Sequence, residues 1–134
     1  MNLSADRKVP DGMKSSVFHC PVEAALSLIR GKYKCIILWH LMQGTMRFSE
    51  LRRIIPQATA KMMTQQLREL EKDGIVHREV YPVVPPRTEY SLTDYGRTLS
   101  PIVQAMCDWG KRYMSDRIEP PVGPPKKNFR EPEA

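Results

Sequence analysis

Apolar residues recur along this chain in blocks whose period changes from helical to strand-like and back. After Cys20-Pro21, the residues Val22, Ala25, Leu26 and Ile29 fall at i, i+3, i+4 and i+7, the stripe of an amphipathic helix. Proline suits the first helical position, where its missing N–H costs nothing, and Gly31 ends the segment. From Lys34 to Gln43 the chain is apolar on most sides, which predicts a central helix stopped by Gly44. Met46-Arg47-Phe48 reads as a very short strand. Ser49 is a suitable N-cap for a short third helix, Glu50 to Ile55, broken by Pro56.

A fourth helix is expected from a Thr59 cap to Asp73, ending at Gly74. Met63, Leu67 and Leu70 lie at i, i+4 and i+7 and should face the core. Lys61, Thr64, Gln65, Arg68 and Lys72 occupy the other side. Ile75 to Tyr81 and Arg87 to Leu92 then alternate with period two, with Thr88, Tyr90 and Leu92 on one face, and predict a β-hairpin. Pro82-Val83-Val84-Pro85-Pro86 stiffens its tip, since such a run cannot be a central strand. Thr93 or Asp94 should cap a long last helix in which Leu99, Ile102, Val103, Met106, Gly110, Tyr113 and Met114 repeat at three- and four-residue spacing. Pro101 within it predicts a kink or a late start.

The chain has 134 residues, enough for one domain with its own core. Residues 1–18 are polar, and the segment 119–134 is rich in proline, so both are expected to be disordered flanks of an ordered unit spanning 19–118. Three cysteines are too few and odd in number for a disulfide scaffold. The opening MNLSADRKVPDGMKSS holds no apolar signal core, and the longest apolar run, Cys35 to Trp39, is too short to cross a bilayer. A cytoplasmic protein with no membrane partner is therefore expected. A formal charge of +6 favours a polyanionic partner, though only mildly.

A short helix, a tight break, a longer helix with a polar outer face and then a hairpin make the winged helix-turn-helix arrangement, a mainly α fold with a small β-hairpin. Its chemistry fits double-stranded DNA, because a helix fills the major groove and its outer side chains meet base edges. Lys61, Thr64, Gln65 and Arg68 stand within two turns of the fourth helix's start. Glutamine can pair with adenine and arginine with guanine, while Lys61 could equally hold a phosphate. Such a face is also what a plain solvated helix presents. Arg47, Arg52 and Arg53 flank the third helix, some of them as candidate phosphate contacts, while at least one of the adjacent pair could be a simple solubilising charge. Arg87 and Arg78 belong to the hairpin, where an arginine can enter a narrow minor groove or simply pair with Glu79 or Glu89.

From Cys20 to Tyr113 the chain resembles the HxlR-type transcriptional regulators, relatives of the MarR-like winged-helix proteins. The segments CPVEAALSLIRGKYK, ILWHLMQGTMRFSELRRIIP, KMMTQQLRELEKDGIVHREVYPVVPPRTEYSLTDYGRTL and CDWG carry the likeness. One departure is Tyr33, where the family usually has tryptophan, for which a packing adjustment is expected. The resemblance implies a homodimer, with helical dimerisation elements at both ends, that binds an inverted-repeat operator through the helix around Lys61–Lys72 and the hairpin. The long last stripe agrees, because nothing else in the chain remains to cover it.

Cys35 and Cys107 lie in apolar stripes and read as small buried hydrophobes. Cys20 occupies a helix N-cap, where free N–H groups and the helix dipole favour the thiolate. Some members of the resembled family use a cysteine there to sense oxidants or electrophiles, and others carry it without such a role. His19, His40 and His77 are scattered, and no Cys-x-x-Cys, His-Glu-x-x-His or phosphate-cradling glycine loop is present. Neither an enzyme nor a bound metal or cofactor is expected. The alternative to a DNA-binding regulator is a winged-helix protein-interaction module, but such a module should show apolar residues where the fourth helix shows Lys, Thr, Gln and Arg.

Overall fold

A computed structural model of the chain describes residues 17–119. The expectations for the arm up to residue 16 and for the tail from residue 120 lie outside the described residues. In chain order the elements are α1 (Pro21–Ile29), α2 (Lys34–Leu41), β1 (Met46–Arg47), α3 (Phe48–Ile54), α4 (Ala60–Lys72), β2 (Val76–Tyr81), β3 (Arg87–Leu92), α5 (Asp94–Arg97) and α6 (Ser100–Met114). A single 3₁₀ turn, Ser115–Arg117, follows α6. The sheet is antiparallel with order β1-β3-β2, and its register sets Met46 against Tyr90, Val76 against Leu92 and Tyr81 against Arg87.

α2 is the central helix, as its apolar composition requires, and it buries Ile37, Leu38 and Leu41. Around it pack Leu51 and Ile55 of the α3 segment, the α4 face Met63, Leu67 and Leu70, the strand residues Val76, Tyr90 and Leu92, and Leu99 and Val103. Tyr33 is buried; its hydroxyl donates to the Gln57 carbonyl at 3.1 Å and its N–H donates to Gln66 Oε1 at 3.2 Å. The phenol thus fills a core position and also ties α2 to the turn between α3 and α4, a bond that an indole would have to make from a differently placed N–H.

Local signals explain most of the helix ends. Thr59 Oγ1 accepts from the Met62 N–H at 3.1 Å and starts α4. Its far end is a Schellman motif: the Gly74 N–H donates to the Glu71 carbonyl and the Ile75 N–H to the Leu70 carbonyl. Gly74 supplies the left-handed φ of 77° that this motif needs. Thr93 Oγ1 then donates to the Gly74 carbonyl at 2.6 Å and accepts from the Gly96 N–H at 2.9 Å, locking the hairpin's base to both α4 and α5. Gly96 must lack a side chain, because a Cβ there would collide with the Ile75 carbonyl oxygen.

Three expectations are corrected. Ser49 is not a cap: α3 begins at Phe48, and the cap residue is Arg47, whose N–H donates to Glu50 Oε1 at 2.8 Å. Pairing of Met46 and Arg47 with β3 holds those residues extended right up to the helix start. The last helix is two helices, because the Thr93 cap begins only the four-residue α5, and Pro101 sits in the first turn of a separate α6. The α1 stripe is divided between core and surface: Ile29 is buried with its neighbour Leu28, whereas Val22 and Leu26 are exposed. Cys35 and Cys107 are half-buried rather than buried.

Candidate nucleic-acid interface

The core face of α4 is fully consumed by Met63, Leu67 and Leu70, so the opposite face is left to solvent. Lys61, Gln65, Arg68 and Lys72 are exposed there, and Thr64 is half-buried. The residues Lys61, Thr64, Gln65, Arg68, Glu69 and Lys72 line one shallow surface along the helix. The four expected α4 side chains are thus brought together on one accessible face.

Beside it runs a groove of about 620 Å³ between α4, the start of α3 and the hairpin. Thr64 lies on both surfaces and joins them. Arg47, Ser49 and Phe48 line one wall of the groove, and Arg78, Arg87, Thr88 and the tip residues Val83 to Pro86 line the other. Ser49, assigned from sequence to a capping role, is exposed on this wall, and the only local signal for that was its place at the break between two helices.

By strand register the two hairpin arginines start from opposite faces, although both border the groove. Side chains of paired strand residues share a face and alternate along the strand. Val76/Leu92, Arg78/Tyr90 and Val80/Thr88 therefore form one face, buried at its base and open toward the tip. Arg78 is exposed there. On the other face Glu79 and Glu89 are directly opposed, a repulsive arrangement. Each has a partner of its own: His77 Nε2 lies 2.9 Å from Glu79 Oε1, and Arg87 Nε lies 3.2 Å from Glu89 Oε2. The Arg87 guanidinium also stacks over the Tyr81 ring at 4.5 Å, so Arg87 is half-buried and held. Of the α3 pair, Arg53 is exposed and Arg52 half-buried.

One feature of α4 carried no sequence signal beyond a lysine in an apolar helix. Lys34, 5% exposed, places Nζ 2.7 Å from Glu69 Oε1. The hydrogen bond from Lys34 holds the Glu69 carboxyl below its ordinary range. Asp73 at the end of the same helix is pushed up by burial. Cys20 is exposed and is the N-cap of α1; its Sγ accepts from the Glu23 N–H at 3.4 Å. Burial raises the Cys35 thiol. Among the described residues no group of His, Cys, Asp and Glu could hold a metal ion, and no helix is long and apolar enough to cross a membrane.

A buried helical core, an exposed polar face on α4 and a three-stranded wing define a winged helix-turn-helix protein. Residues 28–118 match the HxlR-like helix-turn-helix family, and the chain belongs to it. The chain is 56% identical over 100 residues to the HTH-type transcriptional regulator YdeP of Bacillus subtilis, covering 75% of this chain and 77% of that protein. The structure is similar to that of the redox regulator HypR in its oxidised form, with TM-score 0.67 and 59% identity over 69% of this chain and 96% of that one. It is also similar to diamide-treated YodB of Bacillus subtilis, with TM-score 0.58 and 35% identity over 72% of this chain and 97% of that one. The family is one of sequence-specific DNA-binding transcriptional regulators, not of enzymes.

Proposed function

We propose that residues 19–118 act as a homodimer that reads an inverted-repeat operator, with α4 in the major groove and the hairpin against the adjoining minor groove. The observation that carries this reading is the continuity of the exposed α4 face with the arginine-lined groove beside the wing. Gln65 and Arg68 are assigned to base edges, Lys61 and Thr64 to base or phosphate, and Arg52 and Arg53 to phosphates. Arg78 is exposed and free to reach the backbone, while Arg87 would enter a minor groove by exchanging Glu89 for DNA.

The dimer seam is assigned to the uncovered apolar side chains at both ends of the domain. Val22 and Leu26 of α1, and Ile102, Met106, Trp109 and Tyr113 of α6, are all exposed in the single chain. The Trp109 and Tyr113 rings pack on each other with centroids 5.2 Å apart, which makes one continuous aromatic patch. Large exposed apolar patches mark interaction surfaces. Cys20 begins one of these helices, so oxidation or alkylation of its exposed thiol would act at the seam and shift the spacing of the two reading helices. The redox-regulator relative HypR supports that reading.

The test is an electrophoretic shift with the promoter region next to the protein's own gene, followed by footprinting. Two half-sites about one helical turn apart are expected, with affinity falling on the order of 10³-fold between low and moderate salt. Arg68→Ala should lose roughly 1–3 kcal/mol of preference for the cognate base pair. Equal weakening on every sequence would reassign Arg68 to a phosphate.

A further inference from the structure

Glu69 stands on the reading helix one turn after Gln65, on the edge between the exposed face and the core. Its two carboxylate oxygens have different partners. Oε1 is 2.7 Å from the ammonium of Lys34, which comes from the buried helix α2. Oε2 accepts from the Gln65 side-chain amide at 3.4 Å. The first link is firm, because Lys34 is almost wholly enclosed and its ammonium has to stay with an acceptor. A second bond from α2 runs alongside it, the Tyr33 N–H to Gln66 Oε1. Arg30, Lys72 and Asp73 surround the same hollow, and Asp73 is the only other carboxylate lining it.

This arrangement decides which way the Gln65 amide faces. The two ends of a glutamine amide are nearly the same size, but one only donates and the other only accepts. An ionised carboxylate only accepts, so the group turned toward Glu69 must be Nε2. Lys34 keeps Glu69 ionised, since its hydrogen bond lowers the proton affinity of that carboxyl. What Gln65 then offers outward is Oε1 and the second N–H of Nε2. That is one acceptor beside one donor, the complement of the N6 and N7 edge of adenine. With the amide free to turn over, the same two atoms would be presented in either order.

We propose that Glu69 is the specificity-determining positioning residue of this protein: anchored by buried Lys34, it fixes the donor and acceptor order that Gln65 shows to a base pair. This rests on α4 being the DNA-reading helix. Glu69 itself touches no base; it acts through Gln65.

The decisive variant is Glu69→Gln. The new amide has a single oxygen, which Lys34 claims, so its nitrogen is turned toward Gln65 and the Gln65 amide is driven to present its oxygen there instead. Glu69 is 43% exposed and its replacement keeps the same length, so the fold is retained; thermal melting of each variant verifies this. Full-length wild type, Glu69→Gln, Gln65→Ala and the double variant are each used to select from randomised double-stranded oligonucleotides. The wild type should discriminate at one base pair per half-site that Gln65→Ala no longer reads. Glu69→Gln should lose roughly fivefold or more of the discrimination at that same pair, the low end of what one bidentate contact provides, and leave the other positions unchanged. The double variant should match Gln65→Ala. Removing one negative charge raises affinity for all sequences alike, so only the base preference reports on Gln65. A motif retained position for position in Glu69→Gln, whatever the overall affinity, overturns the proposal alone. A wild type that enriches no motif overturns the DNA reading and this proposal with it.

Discussion

Replacing Glu69 with alanine strands a charge, and the cost can be worked from the geometry. Lys34 Nζ and Glu69 Oε1 are 2.7 Å apart, with the lysine side chain 6% exposed and the glutamate 43% exposed. At an effective dielectric of about 20 the attraction at that separation is roughly 6 kcal/mol, and in bulk water about 1.5 kcal/mol, before any desolvation is subtracted. Breaking a buried pair by removing one partner usually costs about 3–5 kcal/mol, because the other charge is left without compensation. Glu69 borders solvent, so water admitted by the truncation recovers part of that, and about 2–3 kcal/mol is expected for Glu69→Ala. For a domain of this size that lowers the melting temperature by roughly 10–20 °C. Lys34→Met is the contrasting change: the methionine fills the space of the lysine stem, and the remaining Glu69 turns to water, so a shift within about 1 kcal/mol is expected. The double variant should resemble Lys34→Met. Urea denaturation of the three variants at neutral pH measures all of this. Equal losses for both single variants, or a loss below about 0.5 kcal/mol for Glu69→Ala, would mean that the pair behaves as an ordinary surface ion pair and that the anchoring argument is wrong.

Acidification provides a second test of the same pair: Glu69 titrates lower in the folded than in the unfolded chain, so its contribution is present above its ordinary 4.5 and lost as pH falls through the folded value. The stability difference between wild type and Glu69→Gln should thus hold steady down to that ordinary value and shrink below it; Asp73, raised chiefly by burial, works in the opposite direction, and in the variant it loses the smaller push that the Glu69 charge adds. The wild type should sediment as a dimer at micromolar concentration, and Met106→Asp, which sets a charge into the exposed α6 stripe, should give monomer; a monomeric wild type would remove the two-fold operator argument. Cys20 should be alkylated first of the three thiols, with sites mapped by mass spectrometry, since it alone is exposed and burial raises Cys35; earlier labelling of Cys35 or Cys107 would refute this.

Elements whose signals act within one turn were legible without the fold. Thr59 caps α4 through a bond to a residue three positions on, Gly74 and Ile75 close it through N–H bonds to residues three and five back respectively, and Pro101 starts α6 in its own first turn. The polar outer face of α4 followed as well, because Met63, Leu67 and Leu70 claim one side of a 3.6-residue period and leave Lys61, Thr64, Gln65 and Arg68 the other. What the tertiary structure decided involves partners far apart in the chain. β1 pairs with β3 more than forty residues later, as Met46 meets Tyr90, and that pairing moved the start of α3 away from Ser49. Arg87 is turned onto Tyr81 by strand register, which no local preference specifies. The apolar residues of α1 look alike in sequence, yet Ile29 goes inward and Val22 stays outside, because the core extends only to the last turn of that helix. Lys34 and Glu69 meet only because α2 is buried beneath α4: local propensity sets where a helix begins and which face is apolar, whereas the charge that must find a partner is settled by what the packed chain places within 3 Å of it.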